Sequence, residues 1–149
     1  MHYRHPEHYE VGREKIREHA VAVKNDDAYH HDEKVAGELG HDSLPAPLTF
    51  SCIFGYQAQS AFFEYANIGI QGAQIVQVDQ KFVYRKPVFA GDKLCADVYV
   101  DSVRQAHGTD LIVMKTIITN SSGDEVQESY TTLAGRTGED GEGFSDAIS

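Results

Sequence analysis

Asn25-Asp26-Asp27 stands just ahead of His30-His31, so carboxylates, an amide and two imidazoles lie within seven residues. Carboxylates beside imidazoles are the raw material of general acid–base chemistry. Asp26 and Asp27 are capable acids, yet adjacent side chains of an extended loop point to different sides. Asn25 can orient a group but cannot exchange a proton at neutral pH. The plainer reading is two loop histidines beside unrelated carboxylates. Cys52 and Cys95 bring two thiols, both inside apolar segments, and no dedicated base stands near Cys52 to make it a nucleophile. His2, His5 and His8 recur every three residues, but the segment is short and interrupted by Pro6. It reads as a solvated arm, and neither a metal nor a cofactor is expected. Asp79, Asp97 and Asp101 lie at polar strand positions and read as surface charges.

The elements that must position these groups fit in one domain. At 149 residues, 41% of them apolar and 24% charged, the chain is an ordinary globule rather than a disordered polymer. The formal charge of −10 argues against nucleic-acid binding, which needs a cationic surface. No apolar run approaches the roughly 20 residues of a membrane span. Met1 to Glu10 is polar with no apolar core of a signal peptide, and two cysteines are too few for a disulfide scaffold. A cytoplasmic protein with reduced thiols is expected.

Ile16, Ala20 and Val23 recur at i, i+4 and i+7, which predicts an amphipathic helix within 10–24. A short helix is expected over 32–39, with Gly40 just past its end. Pro45 and Pro47 hold the next stretch extended, and Pro47 suits a first helical turn. From Leu48 to Asn67 apolar residues occupy nearly every face, predicting one long buried helix. Four runs of period two follow, at 73–85, 93–106, 110–120 and 125–135, joined by His107-Gly108-Thr109, by Ser121-Ser122-Gly123-Asp124 and by a longer connection through Pro87. In the third run apolar residues sit at both parities, which predicts burial on both faces. Helices first and strands after describe an α+β domain over 1–137, its antiparallel sheet wrapped around the long helix. Residues 138–149, with four acidic side chains and no basic one, are expected to be a flexible acidic tail.

Lys86-Pro87-Val88-Phe89-Ala90-Gly91-Asp92-Lys93-Leu94 resembles the P-V-x-x-G-D-x-L signature of MaoC-like hydratases and dehydratases, which have the hot-dog fold. Pro45-Ala46-Pro47-Leu48-Thr49-Phe50, Ile75-Val76-Gln77-Val78-Asp79-Gln80 and Tyr130-Thr131-Thr132-Leu133-Ala134-Gly135 resemble the actinobacterial (3R)-hydroxyacyl-ACP dehydratase subunits of type II fatty-acid elongation toward mycolic acids. Gly12 to Glu18 and Asp97 to Thr109 are similar to the HadA type among them. The resemblance runs from His2 to Asp146.

That resemblance implies elimination of water from a 3-hydroxyacyl thioester. The family's catalytic motif is D-x-N-P, an apolar residue, then H, with a small residue five positions on. Aligned on Ala36, the histidine falls on His30, but Asn25 takes the place of the acid, Asp27 that of the Asn and Ala28 that of the Pro. A slipped register pairs Asp26 with His31 and abandons Ala36. Where catalytic members have His-Gly before the long helix, this chain has Ala46-Pro47-Leu48, and proline offers no N–H to a thioester oxygen. The amides of Leu48 or Thr49 are the remaining donors.

The resemblance therefore implies a substrate-binding subunit paired with a catalytic HadB-like hot-dog subunit that carries the intact Asp and His. The walls of its acyl channel would be Cys52, Phe54, Gly55, Tyr56, Gln59 and Phe63; plain core is the competing reading for most of these. Lys81, Arg85, Lys86 and Lys93 gather around the P-V-x-x-G-D turn and would receive an acidic acyl carrier protein. A homodimeric hydratase using His30 is the alternative. A non-catalytic acyl-binding module or a thioesterase is a third, although the only acid of the long helix, Glu64, lies at its wrong end for a thioesterase.

Overall fold

The computed structural model describes residues 1–66 and 75–136. The order of elements is β1 (His2–Arg4), β2 (Tyr9–Glu10), α1 (Arg13–Ala22), a 3-10 turn (Ala28–His30), α2 (Glu33–Glu38), α3 (Cys52–Tyr65), β3 (Ile75–Tyr84), β4 (Lys93–Ala106), β5 (Thr109–Thr119) and β6 (Glu125–Arg136). The sheet is antiparallel, in the order β1-β4-β5-β6-β3, with β2 added beside β1 on β4. The expected tail over 138–149 lies outside the described residues.

Turn chemistry sets the strand pairing. His107 and Gly108 both have positive φ, the geometry of a two-residue hairpin turn, and bring Ala106 opposite Thr109. Asn120 accepts from the amides of Ser122 and Asp124 through Oδ1, and Gly123 takes φ 81° to close the next hairpin. Gly91 takes φ 92°, and Asp92 accepts from the Phe89 amide at 2.9 Å, so the P-V-x-x-G-D stretch is the corner between β3 and β4. Asp32 caps α2 by accepting from the amides of Lys34 and Val35.

The core lies between the sheet and α3. Leu94, Ala96 and Val98 of β4 and Ile112, Met114 and Ile118 of β5 form one buried layer, and Phe54, Ala58 and Phe62 of α3 are buried with them. Along β5 the burial alternates strictly. The two-faced burial expected for this strand is therefore wrong: Leu111, Val113 and Ile117 are only partly covered.

Three further expectations need correction. The long helix is Cys52–Tyr65, because residues 48–51 form turns in which the Phe50 amide bonds Pro47 O and the Cys52 amide bonds Thr49 O. It is not buried all round: Cys52, Tyr56 and Tyr65 are exposed, Tyr56 to 72%. The amino-terminal arm is docked on the sheet and α3 rather than free, although His2 and His8 remain exposed. His2–Arg4 pairs with Asp97–Tyr99, and Tyr3, His5 and Tyr9 lay their rings against Phe62 and Phe54. Asp97 is accordingly not a surface charge; it is 9% exposed and holds His2 Nε2 at 2.8 Å and Arg4 NH1 at 3.0 Å. Asp79 and Asp101 are exposed, as expected.

Candidate functional site

His30 sits on the 3-10 turn, only 4% exposed, and its Nδ1 lies 2.7 Å from Pro45 O. A carbonyl can only accept, so Nδ1 is the donor, and in the neutral form of the ring the Nε2 lone pair is then free. The tautomer suits a base. The rest of an acid–base pair is missing. Asn25 Oδ1 accepts from the Asp27 amide, and Asp27 Oδ2 accepts from Tyr29 OH at 3.0 Å. His31 Nε2 turns instead to the backbone oxygen of Asn25, and Asp26 is exposed. Among the described residues no carboxylate bonds His30, so neither the Asn25–His30 pair nor the Asp26–His31 pair is assembled. Among the described residues there is also no cluster of three or more side chains suited to a metal.

Space for a ligand lies along the seam that α3 and the segment leading into it form with β3 and β6. Three grooves follow one another there. The first, of about 300 Å³, runs between Ala46–Ser51 and Tyr84–Val88 with Val126 and Gln127. The second, of about 760 Å³, is walled by Thr49, Cys52, Ile53, Gly55, Tyr56, Gln57 and Gln59 on the helix side and by Gln77, Gln80, Phe82, Ser129 and Thr131 on the sheet side. The third, of about 340 Å³, shares Tyr56, Gln59 and Gln77 with the second and ends among Phe63, Ile75 and Leu133. From Gln127 to Leu133 along β6 the seam spans about 20 Å. Arg85 and Lys86 stand at the first end, a hydrogen-bonded wall lines the middle, and at the far end Phe63, Ile75 and Leu133 share the lining with Gln59, Ser60 and Gln77.

The middle wall is a network. Gln59 Nε2 donates to Thr131 Oγ1 at 3.0 Å and to Thr116 Oγ1 at 3.3 Å, while Thr131 Oγ1 donates to Gln80 Oε1 at 2.8 Å. Satisfied in this way, buried polar groups can face a channel without a large penalty. A β-bulge at Val78 places Gln77 opposite Leu133 and Asp79 opposite Thr132, so both Gln77 and Gln80 reach the same groove.

The sequence-derived channel residues separate by position. Cys52, Gly55, Tyr56 and Gln59 line the second groove with Thr49, Phe63 lines the third, and Leu48 lines the first. Phe54 does not line the seam: it is core, stacked on Tyr9. Among the described residues no carbonyl accepts from the Leu48 and Thr49 amides, and Thr49 Oγ1 is engaged by His19 Nε2 at 2.9 Å. Loss of solvation pushes the Cys52 thiol up, keeping it protonated and a poor nucleophile. The strand-side wall, above all Gln77, Gln80, Gln127, Ser129 and Thr131, was missed. Its signal was present: Gln127, Ser129 and Thr131 occupy alternate positions that lead to the buried Leu133.

The basic cluster is only partly assembled. Arg85 and Lys86 sit together at the first groove, paired with Glu128 at 3.6 Å and Asp124 at 2.9 Å. Lys81 lies over the Tyr130 ring. Lys93 is paired with Glu10 on β4, three strand spacings or about 14 Å across the sheet from β3.

Comparison with known proteins adds to this geometry. Residues 1–129 match the family model of the FAS1-like dehydratase domain region. A UPF0336 protein of Mycobacterium tuberculosis strain H37Rv is 68% identical over 146 residues, covering 98% of this chain and 92% of that protein. Among solved structures, a chain of the C-terminally truncated HadBC (3R)-hydroxyacyl-ACP dehydratase complex of M. tuberculosis superposes with a TM-score of 0.84 at 46% identity, covering 91% of this chain and 95% of that one. A MaoC-like dehydratase superposes with a TM-score of 0.82 at 33% identity, over 93% of this chain and 42% of that chain. The architecture is the single α+β hot-dog domain expected from the sequence.

Proposed function

The chain belongs to the family of FAS1-like dehydratase domain regions, and from that premise we propose that it is the substrate-binding subunit of a (3R)-hydroxyacyl thioester dehydratase whose acid and base stand on a partner subunit. What carries the reading is a seam of about 20 Å with Arg85 and Lys86 at one end and Phe63, Ile75 and Leu133 at the other, in a chain whose buried His30 bonds no carboxylate among the described residues. An acyl thioester has the matching polarity. Its head would rest near Arg85 and Lys86, and its hydrocarbon would pass Tyr56 toward Phe63, Ile75 and Leu133.

Elimination removes a proton from the carbon next to the thioester carbonyl and expels the 3-hydroxyl with a second proton as water. A base and an acid are both required. Among the described residues this chain offers one buried imidazole and no carboxylate bonded to it. Its part is to bind the chain, orient the thioester and keep water from the hydrocarbon. The catalytic pair comes from a second hot-dog subunit, a HadB-like one in the HadA-type reading. β3 gives that subunit a place to attach, because it is the last strand of the sheet and exposes Val76 (62%) and Val78 (54%). Arg85 and Lys86 remain the docking point for an acidic acyl carrier protein; the exposed Lys86–Asp124 pair is worth little and exchanges readily, and the Arg85 side chain is half exposed above the more covered Glu128. Lys81 and Lys93 lie outside that point. The substrates would be intermediates of type II fatty-acid elongation toward mycolic acids, and the setting the cytoplasm.

Dehydration of a 3-hydroxyacyl pantetheine thioester, followed by formation of the enoyl product, tests this. The chain alone should turn over at or near background, and co-expression with a hot-dog partner carrying Asp and His should restore turnover. Full activity of the chain alone, lost in His30→Ala, would instead establish the self-sufficient homodimer.

A further inference from the structure

Gln127 is 2% exposed and lines the first groove, yet its terminal amide makes no hydrogen bond among the described residues, and its Nε2 is shielded from water as well. Thr131, four residues on along the same strand face, behaves differently, being tied into the network with Gln59 and Gln80. A buried amide nitrogen whose two donor hydrogens are idle is the costly exception in folded proteins. Its terminal torsion is soft, so either end of the amide can turn to the groove. Gln127 also stands at a junction. On one side are the cations Arg85 and Lys86, on the other the long groove that ends in apolar side chains.

We propose that Gln127 is the residue that receives the acyl carbonyl oxygen, donating from its amide to fix the head of a thioester at the junction of the seam. This deepens the dehydratase reading and rests on it. The carbonyl is the polar atom that separates the head of an acyl thioester from its hydrocarbon, which is where the idle donor lies. Ser51, buried on the opposite wall, and the uncommitted amide of Leu48 flank the same groove. Gln127 is thus a binding and positioning residue, and no proton transfer is assigned to it.

Two ligands of equal chain length separate this role from simple packing: an acyl pantetheine thioester and the thioether in which a CH2 replaces the carbonyl. Both are titrated against the full-length chain in the assembly in which it purifies. The wild type should prefer the thioester about tenfold, the range of one net hydrogen bond. Gln127→Leu, close in size and free of the idle donor, should fold as well as the wild type and bind the two ligands equally. Gln127→Glu, which presents an acceptor to an acceptor, should reverse the preference. If Gln127→Leu keeps the tenfold preference, or weakens both ligands alike, the inference is overturned and the seam reading survives. If neither ligand binds the wild type, both readings fall together.

Discussion

At the scale of single residues, His30 is where catalytic and structural roles part. A buried imidazole held by Pro45 O looks like a poised base, but its visible work is to tie the 3-10 turn to the segment that leads into α3. His30→Ala should therefore lower the melting temperature, by about 1–3 kcal/mol of stability, since it leaves Pro45 O without its partner. Measured well below melting, turnover of the assembled complex should stay within a few-fold of the wild type. A thousand-fold fall in kcat with unchanged melting would place proton transfer on His30 after all. The residues around it show what a single chain can and cannot disclose. That Asn25 stands where an acid belongs is legible in the order of letters. That His31 bonds the backbone of Asn25, while Asp27 serves Tyr29, is a matter of side-chain direction in a loop, and no periodicity encodes it. The role of Asp97 was hidden for the same reason. Its parity on β4 marks the polar face, and only the fold brings His2 and Arg4 across to it.

At the scale of elements, the four long strands, both short helices and the corner at Gly91-Asp92 could be read from alternation, heptad-like spacing and turn residues, because each signal is local. The two-residue β2 and three-residue β1 were not legible: strands that short contain no full period. The start of α3 was misplaced for a physical reason as well. Apolar residues from Leu48 onward continue the pattern, but the turns closed by Pro47 O and Thr49 O take up the amides before a regular helix begins. The β1 strap predicts a measurable consequence. Asp97→Ala removes the acceptor of both His2 and Arg4, and hydrogen exchange should then show the amides of β1 and its partners on β4 opening faster while β5 and β6 keep their protection. Uniform loss of protection across the sheet would mean that Asp97 supports the whole domain, not the strap. Because Tyr3 lies on Phe62, a loosened strap should also expose one flank of α3.

At the scale of the whole molecule, the described parts of the sheet and the strap leave one side of α3 uncovered, and that side carries the seam. An unpaired β3 edge with exposed valines adjoins it, so partner binding and ligand binding share a border. The general plan, a helix packed against a curled antiparallel sheet, was legible in residue types and in the resemblance they carried. Of the seam's strand-side wall, the β6 half left a signal in the alternation of Gln127, Ser129 and Thr131, while the β3 half did not, because the bulge at Val78 changes which residues of β3 face inward. The central claim is the direction in which an acyl chain lies. An acyl pantetheine thioester with a photoreactive diazirine on the last carbon of a long chain measures it most directly. After irradiation of the assembled complex, mass spectrometry of the digested chain should find the label on peptides containing Phe63, Ile75 or Leu133. Label concentrated on Leu48, Arg85 or Lys86 would contradict that direction, and with it the assignment of head and tail to the two ends of the seam.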